Sequence, residues 1–237
     1  AAKQNCDGEF TNPIAVTLPQ AGTVAVAPFT QDYNEIGNAP EAQFINDGTV
    51  NDWVHGTAIN NPESQEGGAI YISNDGGVTN AYTTNPGSSG TRVYYTTLVA
   101  FPTDGSVAFR ISFDWKCYGE GTYDFMKVFL VPVEYELQSG AEPASRYAIT
   151  GNLNGSTNWN TKNITLDAAG RLGTMQKLVF MWRNDYSDGN PPPAAIDNLS
   201  ITSLSCIAPA SVAYQRTENP SEMIINITSS NPTETTY

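Results

Sequence analysis

Three observations predict an all-β chain. The 237 residues include 20 glycines and 15 prolines and are rich in Thr, Ser and Asn, which is the composition of a chain with many turns. No apolar pattern is sustained at helical spacing. Residues 107–115 alternate at period two, with Val107, Phe109, Ile111, Phe113 and Trp115 on one face and Ala108, Arg110, Ser112 and Asp114 on the other.

Residues 1–22 form a leader segment with a turn at Cys6-Asp7-Gly8 and an edge strand at 13–18. Residues 23–29 alternate and read as one strand. The stretch 38–68 is loop-rich and dense in side-chain oxygen, with Asn46-Asp47-Gly48 and Asn51-Asp52 ahead of Trp53. Such a loop suits calcium, which takes six to eight oxygens; read structurally, Asp47-Gly48 is only a turn. A short strand at 69–73 ends in Asn74-Asp75-Gly76-Gly77, which is hairpin chemistry. Strands follow at 92–100, 107–115 and 125–133, with 118–124 joining the last two as antiparallel neighbours and Pro132 marking an edge. Asp114 falls on the polar face of its strand, as a surface residue or a cross-strand partner of Arg110. Residues 134–155 read as an insertion-like loop, 163–166 as a strand and 167–170 as one helical turn.

Two apolar runs, 177–182 and 194–202, flank a loop dense in Asn, Asp, Gly and Pro. Strict alternation in the second run puts Asp197 on one face with Ala195, Leu199 and Ile201. A carboxylate there needs a cation, an arginine or several N–H donors. After Cys206 two further strand-like stretches, 207–214 and 223–228, are too short to bury a core of their own.

The net charge of −13, from 24 acidic and 11 basic residues, disfavours nucleic acid and other polyanions. No run reaches the length of a membrane span. A single histidine, His55, and three scattered cysteines do not make a zinc site, and His55 has no Gly-x-Ser-x-Gly partner for a triad. There is no Gly-rich phosphate loop. A pair of carboxylates for glycoside hydrolysis is not recognisable, although such chemistry needs nothing more. The start at Ala1-Ala2-Lys3 is expected of a processed or cut chain.

Several segments, in order, carry a family resemblance: Asn51-Asp52-Trp53-Val54-His55-Gly56-Thr57-Ala58, Ile70-Tyr71-Ile72-Ser73-Asn74-Asp75-Gly76-Gly77, Ser112-Phe113-Asp114-Trp115-Lys116-Cys117, Trp182-Arg183-Asn184-Asp185 and Ala195-Ile196-Asp197-Asn198-Leu199-Ser200-Ile201. Over residues 28–206 they resemble the cleaved-adhesin (gingipain adhesin-like) and choice-of-anchor modules of Bacteroidetes surface and secreted proteins, which are related in architecture to MAM domains. The resemblance implies a two-sheet antiparallel jelly-roll sandwich over 23–206. Residues 207–237 resemble the start of a fibronectin type III domain, a short C-terminal β segment of a longer multidomain chain.

The same resemblance implies structural calcium, with Asp197 as the leading ligand and Asp47 and Asn34 behind it. The family carries an acid or an amide near position 34, and an amide makes the weaker ligand. Three cysteines cannot all pair within one chain. Cys6 and Cys206 bracket the sandwich and could form a disulfide, leaving Cys117 a buried free thiol; pairing through Cys117 is the alternative. The implied function is a non-catalytic, secreted or cell-surface adhesion module that binds a glycan or a surface protein. The alternative is an accessory or spacer domain of a larger secreted hydrolase, with turnover by the fragment itself a third reading. Tyr82, Tyr94, Trp159 and Tyr186 are candidate sugar-stacking rings by their place near loops, each weighed against burial in the sheet.

Overall fold

Alternation in β7 (Ala108–Cys117) puts Phe109, Ile111 and Phe113 into the space between two sheets, all with no exposed surface. The structure is a computed structural model that describes residues 25–35, 42–48, 50–62, 67–85 and 90–205, and the strands 211–216 and 223–228. Cys6, Cys206, the disulfide expected between them and the strand expected at 13–18 lie outside the described residues. Cys117 is buried and unpaired, and burial pushes its thiol well up from the ordinary range.

The fold is an all-β, two-sheet jelly-roll sandwich. One sheet runs β1 (Ala25–Val26), β6 (Thr91–Ala100), β10 (Met175–Asn184) and β8 (Phe125–Pro132), with β3 (Gln43–Ile45) also on β6. The other runs β4 (Asp52–Gly56), β5 (Ala69–Ser73), β11 (Ala195–Leu204), β7 and β9 (Ser156–Asp167), with β2 (Phe29–Gln31) also on β11. All pairings are antiparallel except β1 with β6. A separate hairpin pairs β12 (Ser211–Arg216) with β13 (Met223–Thr228). Among the described residues no helix is long and apolar enough to cross a membrane.

Between the sheets, Phe180 packs edge-on to Phe113 at 5.1 Å and stacks on Tyr95 at 5.8 Å. Burying one such ring contributes roughly 1.5–3 kcal/mol. The outer face of the first sheet carries its own cluster of Tyr94, Phe125, Phe129, Val131, Val179 and Met181, roofed by Tyr135, Leu137 and Tyr147. The insertion-like loop is therefore a cover, fastened by the backbone bonds of Ile149 to Val128 and Leu153 to Met126.

Several expected elements differ. The strand expected at 23–29 is broken within its described residues, 25–29: the chain passes from the first sheet to the second at Pro28, which has no N–H for a ladder. The turn after β5 does not close a hairpin, because β6 lies in the other sheet. Nor are β7 and β8 neighbours; both flanks of β7 are occupied, by β11 and β9. Val107 is 55% exposed and precedes its strand. The strand expected at 163–166 runs twelve residues, most of them polar, because its outer face meets solvent.

Candidate functional site

Asp197 sits where the edge of β11 changes partner. On that edge β5 pairs with Ala195 and Ile196, and β2 takes over at Leu199. The opposite edge carries a β-bulge between Asp197 and Ser200, with Asn198 at φ 48°. The extra residue shifts the phase, so Ile196, Leu199 and Ile201 all enter the inter-sheet core while Ala195 joins an outer cluster. Strict alternation misassigned the face of Asp197. It nonetheless has no exposed surface, and one oxygen accepts the N–H of Asn198 at 2.8 Å.

Tyr33 borders this junction, with φ 54° and 1% exposure. Burial first, then Tyr95 and the charge of Asp197, push its hydroxyl well up. Its carbonyl lies 2.7 Å from His55 Nε2, which makes that nitrogen the protonated donor and His55 a structural residue. A Cβ on Gly68 would stand 1.9 Å from the same carbonyl oxygen, so only glycine fits there. Beside Tyr33, Asn34 Oδ1 is enclosed and accepts no hydrogen bond. Asp197 and Asn34 thus border the same residue. Asp47 is placed elsewhere, where its Oδ2 accepts the N–H of Arg92 at 3.2 Å. Burial, and then the charge of Asp47, push the neighbouring Asp52 carboxyl up, and Asp52 Oδ1 is enclosed without a partner.

A second group of carboxylates was not anticipated. Glu120, Asp124 and Asp185 bring one ligand-capable oxygen each to within 4.8 Å of one another. Asp124 is fully buried; Tyr82 donates to Oδ2 at 2.8 Å and the Asp185 N–H to Oδ1 at 3.0 Å. Burial pushes its carboxyl up to about 6, the charges of Asp185 and Glu120 adding to the rise and the two hydrogen bonds opposing it. The available signal was two acids four residues apart, with Gly119 before them and Gly121 between them, but Asp185 is distant in sequence.

The third feature is a cleft of about 370 Å³ on the outer side of the second sheet, lined by Asn61, Asp114, Trp159, Asn160 and Thr161. Asp114 is not a surface partner of Arg110, as alternation suggested: it is 9% exposed and accepts from Asn61 Nδ2 (2.9 Å), Asn198 Nδ2 (2.9 Å) and Thr161 Oγ1 (2.6 Å). Trp159 is half-buried at the rim, its Nε1 donating to the Asn60 carbonyl at 3.0 Å and the Lys116 ammonium lying 5.5 Å from its ring centre. Of the other candidate rings, Tyr82 and Tyr94 are buried and Tyr186 is 59% exposed.

No protein-family model matches the chain, and no curated protein does. Among solved structures it is similar to TmCBM61 in complex with β-1,4-galactotriose, at 13% identity over 73% of this chain and 99% of that one, TM-score 0.42. It is similar to the K1 cleaved adhesin domain of Lys-gingipain from Porphyromonas gingivalis, at 17% identity over 74% and 97%, TM-score 0.41. It is also similar to the family 11 carbohydrate-binding module of a cellulosomal cellulase of Clostridium thermocellum, at 15% identity over 76% and 97%, TM-score 0.39. At these scores nothing about the sites is carried over from those proteins.

Proposed function

We propose that the chain is a non-catalytic binding module of a secreted or cell-surface protein, holding structural calcium and recognising a glycan in the cleft beside Trp159. In this reading residues 23–206 are the module, of cleaved-adhesin type. Residues 1–22 lead into it, and 207–237 open a fibronectin type III-like module of a longer chain.

One observation carries the glycan reading: in a single cleft an indole stands beside polar groups already fixed in place. Three side-chain donors converge on Asp114, and the Asn160 amide is held by Ser156 Oγ at 2.7 Å and the Asn158 carbonyl at 2.8 Å. Groups ordered beforehand lose little side-chain entropy when a hydroxylated ligand arrives, and a flat ring beside them suits a sugar face. The calcium reading is supported by the enclosed, unpartnered Asn34 Oδ1 beside the junction that buries Asp197, since hard cations take carboxylate and amide oxygens. Asp47 is a second-rank ligand, with the enclosed Asp52 Oδ1 close to its charge.

Arrays of glycans and of surface and matrix proteins test the module. A neutral or weakly charged glycan is expected to bind, and Trp159→Ala to weaken it by about tenfold or more in a variant that still unfolds in one cooperative transition above the assay temperature. Binding that survives Trp159→Ala places the ligand elsewhere. Silence on both arrays favours the accessory or spacer role beside a hydrolase.

A further inference from the structure

A second cleft, of about 340 Å³, opens on the outer face of the second sheet, and its walls include Thr30, Asp32, Asn198 and Ser200. It meets the Trp159 cleft at one hydrogen bond: Asn198 lines the one, Asp114 lines the other, and the Asn198 amide donates to Asp114 Oδ2 at 2.9 Å. Strand register supplies the floor between them. Leu199 and Ile201 enter the core, so Ser200 projects outward, and with it its cross-strand partners Thr30 on β2 and Ser112 on β7. Ser112 in turn opposes Asn163 on β9. Thr30, Ser200, Ser112 and Asn163 therefore form one row across β2, β11, β7 and β9, three strand spacings or roughly 14 Å long. Next to that row on the same face Asp114 opposes Thr161, and both line the Trp159 cleft.

The row carries hydroxyls and an amide, with neither an apolar nor a charged member. A face that only meets water ordinarily bears Lys and Glu, and a face that meets a protein needs a cluster of apolar anchors. Hydroxyls and amides donate and accept at once, as the hydroxyls of a sugar do. The charged residues that line the two clefts are Asp32 and Asp114, and the cations of that face, Arg110 and Lys116, line neither. Both carboxylates are held as acceptors, Asp114 by its three donors and Asp32 through Oδ1, which takes the Asn34 N–H at 3.2 Å. With the net charge of −13 they disfavour an acidic sugar.

We propose that one neutral oligosaccharide occupies both clefts, running across the strands from Trp159 to Thr30, so that the module reads a chain of several sugars and not a single one. The indole seats one end of the chain, and the row of hydroxyls continues the contact one strand at a time. This inference deepens the glycan reading above and rests on it. That reading does not depend on the inference, because the Trp159 cleft can take a short sugar by itself.

The test is calorimetric titration of the intact chain with neutral hexasaccharides of β-1,4-linked glucose, xylose, mannose and galactose, followed by the disaccharide of the tightest binder. The hexasaccharide is expected to bind at least about tenfold more tightly than its disaccharide, and hexagalacturonate more weakly than either. Thr30→Val combined with Ser200→Ala removes two hydroxyls at nearly constant shape; it should cost the hexasaccharide about tenfold and leave the disaccharide unchanged, whereas Trp159→Ala should weaken both. Melting curves establish that the variants fold. If the double variant does not, ¹⁵N-correlated NMR of the wild type decides: the Thr30 and Ser200 amide signals should move with the hexasaccharide and stay in place with the disaccharide. Equal affinity for the two lengths overturns the proposal and leaves the Trp159 cleft standing, as does a length advantage that survives in the folded double variant or a pair of unmoved amide signals. Hexagalacturonate binding as tightly as the neutral chain overturns the choice of a neutral sugar. No affinity for any hexasaccharide removes the glycan reading, and the inference with it.

Discussion

Asp124 is fully buried, and its carboxyl is pushed up to about 6 from 3.8, by burial first. A carboxyl that holds its proton more tightly in the folded than in the unfolded chain contributes its stability fully below pH 3.8 and loses it as pH rises through 6. This group alone should therefore cost the fold up to ~3 kcal/mol between pH 4 and 7. Urea unfolding of the wild type and Asp124→Asn across that range checks it. The variant is expected to gain on the wild type as pH rises, and a stability difference flat in pH would show that the group does not titrate there. Asp197 and Asp124 also mark what was legible residue by residue. An acid inside an apolar strand advertises its burial locally, and Asp197 is buried. Asp124 closes a polar turn that begins with two glycines, Gly119 and Gly121, and only the arrival of Tyr82 and Asp185 from distant segments encloses it. The polar rim of the cleft was hidden for a similar reason, since Asn61, Asp114, Thr161 and Asn198 come from four separate stretches.

β7 was legible because alternation records burial directly, and β6, β8 and β10 were legible as nearly continuous apolar runs because both their faces are covered. Edge strand β9 was read at a third of its length because only Ile164 and Leu166 among its residues are buried. Partnership was not legible. A turn sequence states that the chain reverses, but says nothing of which sheet receives the next strand, and the turns after β5 and β7 both led out of the sheet they were expected to continue. The bulge at Asn198 escaped for a related reason: its φ of 48° suits Asn, yet no alternation count contains an extra residue.

At the scale of the molecule, the net charge of −13 makes the fold repel itself, and the calcium proposed at the buried Asp197 carboxylate would offset part of that repulsion. Calcium at a hundred times its dissociation constant would stabilise the fold by ~2.7 kcal/mol. For a chain of this size that is on the order of 5–10 °C in melting temperature. Chelation at fixed ionic strength is therefore expected to lower the melting temperature by several degrees, and Asp197→Asn to melt low and ignore the chelator. An unchanged wild-type value removes the metal. Monovalent salt separates general screening from the specific ion, because it acts with or without chelator.

From β5 to β11 every connection crosses between the two layers. The polypeptide is consequently stitched through both cloths like a running seam, and no cut frees a piece of either. Cleavage at the exposed Asp104-Gly105 turn would leave each fragment holding strands of both layers. The nicked protein is expected to give two bands on a denaturing gel and one peak, at the intact volume, in native chromatography; two native peaks would mean the seam does not hold. A module laced in this way survives a scission that would dismantle one built from successive hairpins.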